Sequence, residues 1–323
     1  MSQGQKPSSV KATVFLAVAT LFWAASFPVM RALGLHQATL APGVNTMFLS
    51  AVSICARFGV AALVLILWRG RDSFRCTAAE WRQAAGLGVF GGLGIVLQMD
   101  GVIHIDASVS AFLTQCYCVW VPLVVAIRRR AWPSRALVVG CVMVLAGVGI
   151  LADLDPRNLH LGRGETETIL ASMLFTGQIL LLERPEFASN RAIPVTLIMF
   201  LLTALLILPV AVVTGDGWSQ WKAVYSTPAA IGLTLFLGTV CSVVPYTLMN
   251  VWQQRVPATQ ASLIYGFEPL GASIFALFVP ALLSRLVAVN YPNETIGSHL
   301  LLGGALLLAA NLLVLWKSSK KPA

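Results

Sequence analysis

Glu268 is an acidic residue well inside an apolar stretch of this chain, with Pro269 beside it. A charge at the centre of a membrane helix costs about 2.5–3.5 kcal/mol on the insertion scale, so a carboxyl retained there points to a cavity or a partner cation. Low dielectric disfavours the carboxylate unless a cation such as Arg57, near the middle of a second apolar stretch, opposes that effect. Either arrangement makes the charge depend on which side the site faces and on what else is bound, and this is the chemistry of proton coupling. The competing use is structural, either an ion pair or a carboxyl capping backbone groups freed by Pro269. Tyr265 lies three residues before Glu268 and so shares its helical face, as do Trp23 with Phe27 and Tyr246 with Asn250 at spacing four. Gln98 and Gln115 carry donors and acceptors that are costly against lipid. Trp23, Gln98, Gln115, Trp120, Tyr246 and Tyr265 are therefore expected to line one central space. Interhelical hydrogen bonding, worth about 0.6 kcal/mol, is the alternative use of the glutamines. Pro28, Pro122, Pro245 and Pro269 remove backbone hydrogen bonds inside apolar stretches, and helix breaks are expected there.

Other motifs carry less. Gly86-Leu87-Gly88-Val89-Phe90-Gly91 spells a dinucleotide-binding pattern, but it lies in an apolar stretch with no preceding strand, and Gly88 with Gly92 reads better as a helix-packing pair. His36, His104, His160 and His299 all fall towards one expected side, yet no two have ligand spacing on one helix, so no metal is expected. His104, Asp106 and Ser108 could be read as a hydrolase cluster, but so short a connection reads as a polar hairpin tip. Cys55, Cys76, Cys116, Cys118, Cys141 and Cys241 show no Cys-x-x-Cys pattern and no disulfide framework. Asn293-Glu294-Thr295 is a glycosylation sequon. A Walker-type nucleotide loop is missing, so no cofactor is expected and ATP is not the direct driving force.

The elements that must hold these residues follow from composition. Of 323 residues, 57% are hydrophobic and 11% charged, where a soluble domain carries about 25% charge. Ten apolar stretches approach the roughly 20 residues that cross a bilayer as helix. They are placed at 12–33, 46–68, 84–103, 108–127, 134–151, 168–182, 195–213, 229–251, 258–283 and 299–316. With the N-terminus inside, 16 of the 22 basic residues fall on the cytoplasmic side, so the net charge of +9 reports orientation rather than a nucleic-acid partner. Both termini are expected in the cytoplasm. The stretch 168–182 is the shortest, and keeping it preserves the charge bias. Ala17-Val18-Ala19 has the shape of a signal-peptidase site, but the apolar run continues to Leu33, so cleavage is not expected. Asp100 sits close enough to an outer end to reach water.

The two halves overlay. Ala107-Ser108-Val109-Ser110-Ala111-Phe112-Leu113 parallels Ala258-Thr259-Gln260-Ala261-Ser262-Leu263-Ile264 at an offset of 151, and Gly140 to Gly147 parallels Gly303 to Ala310 at 163. The difference is an extra stretch around 284–293. An odd number of spans per half inverts the second copy, a transporter architecture with its site between the halves.

Phe22-Trp23-Ala24-Ala25-Ser26-Phe27-Pro28-Val29-Met30-Arg31 and Arg57-Phe58-Gly59-Val60-Ala61-Ala62-Leu63 resemble the first two spans of EamA-type members of the drug/metabolite transporter superfamily. Pro245-Tyr246, Arg255-Val256-Pro257-Ala258-Thr259-Gln260-Ala261-Ser262-Leu263 and Glu268-Pro269 resemble that family's eighth-to-ninth-span signature. The family often has an acidic residue after the fourth span, where this chain has Arg128-Arg129-Arg130; Glu294 holds the corresponding place in the second half, after the extra stretch. The resemblance implies an all-α, ten-helix inverted-repeat carrier around a central cavity. Residues 1–153 and 164–316 are the expected repeats, and 317–323 a basic cytoplasmic tail. The expected activity is secondary active transport, in the direction of efflux, of small polar organic metabolites such as amino acids, across a bacterial inner membrane. Protons are the expected coupling ion, with Glu268 and Arg57 as coupling group and charge partner, and lipid surrounds the protein. A membrane-embedded enzyme, an uncoupled facilitator and a channel are the alternatives.

Overall fold

The computed structural model describes residues 9–70, 75–130, 135–151 and 161–318. Among them every regular element is helical. The first half holds α1 (Ser9–Leu40), α2 (Thr46–Arg69), α3 (Ala78–His104), α4 (Ala107–Thr114), α5 (Tyr117–Arg128) and α6 (Arg135–Leu151). The second begins with α7 (Arg163–Leu182), α8 (Ala192–Thr214) and the short α9 (Trp218–Val224). It continues with α10 (Pro228–Gly238), α11 (Val244–Trp252), α12 (Ala258–Tyr265), α13 (Glu268–Ala276), α14 (Val279–Val287) and α15 (Ser298–Ser318). The join between the halves, residues 152–160, lies outside the described residues, as do Lys6, Arg71, Arg157, His160, Lys320 and Lys321.

Local chemistry sets several ends. The Asn45 side chain accepts from the Met47 N–H at 2.9 Å to start α2, and Gly70, at φ 67°, ends it. Thr77 and Glu80 form a reciprocal capping box at the start of α3. By length and composition six segments suffice to cross a membrane, or seven when the bent pair α12–α13 and α14 is taken as one. Exposed Leu67, Val142, Leu205, Val213 and Leu301 give the outer surface the apolar character that hydrocarbon requires.

The packing interleaves the halves: α2 lies on α8, α3 on α7 and α8, α6 on α15, and α1 on α11 and α13. Small residues permit the closest approaches. A Cβ on Gly88 would lie 3.2 Å from Leu202 Cβ and one on Gly92 3.2 Å from Thr203 Cγ2, so this glycine run serves contact with α8.

Several sequence expectations need correction. The stretch 108–127 is two helices, α4 and α5, separated at Gln115-Cys116. The stretch 258–283 is also interrupted, at Gly266-Phe267, and bends by 61° between α13 and α14, so its straight part ends at Ala276. The stretch 229–251 runs through one π-helical segment, Thr239–Val243, between α10 and α11. Pro245 and Pro269 sit in the first turn after such irregularities, where a missing N–H costs nothing. Pro28 and Pro122 instead lie inside continuous helices, α1 and α5, and break neither. Neighbouring helices hold those turns in place.

Candidate functional site

The two interrupted helices build the site. Both α4 and α12 are eight residues long, both are followed by two residues in a tightened turn, and their numbers differ by 151 throughout. Tyr117 and Glu268, the first residues of α5 and α13, are therefore internal counterparts. They meet: the Tyr117 hydroxyl donates to Glu268 Oε2 at 3.4 Å. Gln115, in the first break, donates from Nε2 to the Tyr117 hydroxyl at 2.9 Å, to the Tyr265 carbonyl at 2.9 Å and to Glu268 Oε2 at 3.5 Å. Oε2 is thus held by neutral donors. Among the described residues no protein hydrogen bond reaches Oε1, and Glu268 lines the adjoining cavity.

That cavity measures about 500 Å³, counted with its opening. Its wall takes Trp23 and Ser26 from α1, Arg57 from α2, Ile95 and Gln98 from α3, and Thr114 and Tyr117 from α4 and α5. Phe175, Gln178 and Ile179 of α7, Tyr246 and Met249 of α11, Tyr265 and Glu268 complete it. The rings meet edge to face: Trp23 lies 5.4 Å from Tyr246 and 5.3 Å from Tyr265 between centroids, and Tyr117 lies 6.5 Å from Tyr265. The Trp23 indole N–H is buried with no protein acceptor, so the wall offers a donor to an occupant. Tyr265 donates to Gln253 Oε1 at 2.7 Å, and Gln253 Nε2 donates to the Ile179 carbonyl at 3.0 Å. Gln98 Nε2 donates to Thr114 Oγ1 at 2.9 Å.

Of the sequence-derived wall residues, Trp23, Gln98, Tyr246 and Tyr265 line this space, with Glu268 and Arg57. Gln115 and Trp120 do not. Gln115 bridges the two breaks, and the Trp120 indole donates to Ser172 Oγ at 3.0 Å between α5 and α7. Arg57 is not bonded to Glu268. Its Nε donates to Ser242 Oγ at 2.7 Å and its Nη2 to the Cys241 carbonyl at 2.9 Å, both in the π-helical segment. That widened turn leaves a carbonyl free to accept, so the cation is held by dipoles. Tyr117, Ser26, Thr114, Phe175, Gln178 and Met249 escaped the sequence reading. The repeat offset was a signal for Tyr117, since adding 151 to its number gives Glu268.

Polar ties flank the cavity. Asp100 is fully buried rather than water-facing: Ser50 Oγ donates to its Oδ1 at 3.1 Å and Arg163 Nη2 lies 2.6 Å from its Oδ2. The hydrolase-like trio disperses, because His104 meets Thr46 at 3.1 Å, Asp106 pairs with Arg31 at 2.6 Å and Ser108 bonds to Glu294. Glu294 Oε1 also accepts from the Ala107 N–H at 2.8 Å, so a second-half carboxylate caps α4. Burial raises the Glu294 carboxyl above its ordinary range, against the pull of its Ser108 and Ala107 donors. At the opposite end of α3, Arg191 Nε lies 2.8 Å from Glu80 Oε1, and Asn190 donates to Gln83 at 2.8 Å.

Residues 10–152 match the EamA-like transporter family. No curated protein matches the chain. A crystal structure of a protein 17% identical to this one superposes with a TM-score of 0.59, over 97% of this chain and 100% of that chain, a likeness of fold. Over that stretch the chain is similar to the EamA-like transporters, and its long apolar helices make it a multi-pass membrane protein.

Proposed function

We propose that this EamA-type chain is a secondary carrier that exports small polar organic metabolites, amino acids or close relatives, by alternating access of two inverted repeats. The repeats are 1–153 and 164–316, each contributing five spans to a total of ten. The tail 317–323 and the N-terminus are cytoplasmic in this reading, and the membrane is a bacterial inner membrane. The observation that carries it is the cavity between the halves, lined by Glu268, whose Oε1 has no protein hydrogen bond among the described residues. Arg57 lines the same wall without pairing to Glu268. A zwitterion placed between them would find an acceptor for its ammonium and a cation for its carboxylate, while its side chain meets the Trp23, Tyr246 and Tyr265 rings. Proton coupling follows from the same geometry, because proton and ammonium compete for one carboxylate.

The test is counterflow. Purified protein in lipid vesicles preloaded with single unlabelled amino acids should accumulate the same labelled amino acid transiently and saturably. Non-saturating flux would indicate a channel, and chemical conversion of the label an enzyme; either defeats the reading. Glu268→Gln, which keeps the shape and fixes the charge at zero, should remove the pH dependence of exchange.

A further inference from the structure

We propose that Tyr117 is the positioning residue through which the proton on Glu268 is tied to the relative placement of the two halves. This rests on the carrier reading above and deepens it. Tyr117 opens α5 in the first half and Glu268 opens α13 in the second, so their 3.4 Å contact spans the seam between the halves. The bonds that accompany it cross the same seam in the same sense. Gln115 donates to the Tyr265 carbonyl at 2.9 Å, and the Cys118 thiol to the Ser262 carbonyl at 2.7 Å. The first half supplies the donors and the second the acceptors. The second break, Gly266-Phe267, has no polar side chain to return the favour.

A phenol donating to a carboxylate oxygen favours the ionised form, and withdrawing it favours the proton. A shift of the second interrupted helix relative to the first breaks this contact early, because at 3.4 Å it is already long for an O–H···O bond. The carboxyl then has two proton affinities, one for each arrangement. By linkage, whatever selects an arrangement also selects a protonation state.

Gln115 Nε2 adds a longer donation to the same oxygen at 3.5 Å, and no titratable or charged group supplies this dependence. Tyr246 of α11, Tyr265 of α12, Cys118 of α5 and Arg57 of α2 are the further titratable or charged neighbours, and none hydrogen-bonds to the carboxyl among the described residues. The helices packed on α13 add none: α1 puts Trp23 and Ser26 into the wall and α4 puts Thr114 there, while Arg285 of α14 is exposed.

The experiment is infrared difference spectroscopy of the full-length protein in lipid vesicles over a pH series, which needs no substrate. The Glu268 carboxyl band is assigned by its loss in Glu268→Gln. In Tyr117→Phe this band should move to higher wavenumber, because a hydrogen bond is gone, and its half-loss should shift upward by about 0.5–1 pH unit. The tie to conformation is read by locking the halves with a short thiol cross-linker between Glu80→Cys and Arg191→Cys, which replace the cross-half ion pair. Locking should shift the band's half-loss pH with Tyr117 present and leave it in place in Tyr117→Phe. An unmoved band in folded Tyr117→Phe, or an equal locking shift with and without the hydroxyl, overturns the proposal. If Tyr117→Phe does not fold, 3-fluorotyrosine at position 117, a stronger donor of nearly the same shape, should move the band to lower wavenumber; an unmoved band there also overturns it. Failure of the carrier reading shows separately, as absent counterflow with these spectra unchanged.

Discussion

The helix pairs α4–α5 and α12–α13 make the same backbone move and put it to different uses. Each runs eight residues, tightens for two that keep right-handed helical angles but bond three residues back, and resumes facing its counterpart. The first pair then continues for 12 residues to Arg128, while the second stops after nine and turns by 61° into α14. Where the first places a phenol, the second places a carboxyl. Where the first carries Trp120, filling the space towards Ser172, the second carries Gly271, against which α1 packs so closely that a Cβ would lie 2.8 Å from Ala24 Cβ. The lesson is that a symmetric backbone can hold an asymmetric charge. Two interruptions at matched positions carry different side chains, one acidic and the other its donor.

Substitutions at matched positions should break this comparison unequally. The largest effect is expected at the 117/268 pair. Glu268→Gln should flatten the pH dependence of exchange, which in the wild type should reach at most about tenfold per pH unit for one proton, while Tyr117→Phe should displace the profile without flattening it. Vesicle exchange measured between pH 5 and 9 checks both. Next is the 120/271 pair. Gly271→Val should cost about 1–3 kcal/mol by forcing α13 off α1, seen as a fall in thermal midpoint. Trp120→Phe, which loses the bond to Ser172 and part of the indole's packing, should cost about 1–2 kcal/mol.

A smaller effect is expected where the second half caps the first. The folded Glu294 carboxyl binds its proton more tightly than in the unfolded chain, because its pKa is raised by burial. Its ionisation therefore weakens the fold as pH rises from about 4.5 through the folded value. Glu294→Gln should remove that slope from the thermal midpoint while still accepting from the Ala107 N–H. A slope unchanged in the variant would assign it elsewhere. The α12 N-terminus, which follows Pro257 and has no side-chain cap, offers no equivalent group to titrate.

Hydropathy made the helical, membrane-embedded class legible, and most apolar stretches fall on helices within a few residues. The interruptions were not legible from it. Gln115-Cys116 and Gly266-Phe267 lie inside long apolar stretches and keep right-handed helical angles, so the tightened turn barely changes a hydrophobic period. Proline was a poor guide, since Pro28 and Pro122 are carried inside intact helices while Gln115-Cys116 breaks one with no proline at the break. Intramembrane polarity found Glu268, Arg57, Gln98 and the cavity aromatics, because a misplaced charge or amide is expensive wherever it lies. It misassigned their partners. Which donor meets which acceptor depends on helix rotation, and Arg57 chose a main-chain carbonyl that no side-chain pattern announces.

The anchoring of Arg57 on the π-helical segment has an electrical consequence. Because its hydrogen bonds go to the Cys241 carbonyl and the Ser242 hydroxyl, the guanidinium keeps both its position and its charge whatever Glu268 does. With Glu268 protonated, the cavity bears a single uncancelled positive charge; with Glu268 ionised, it is neutral overall. The empty site therefore never presents a net negative charge to the membrane interior. A free metal cation meets either repulsion or no net attraction, and a zwitterion can enter without altering the balance. On the proposed carrier reading, the charge moved is the proton's alone, so exchange of zwitterions should respond to membrane voltage only to the extent that Glu268 changes its protonation along the way.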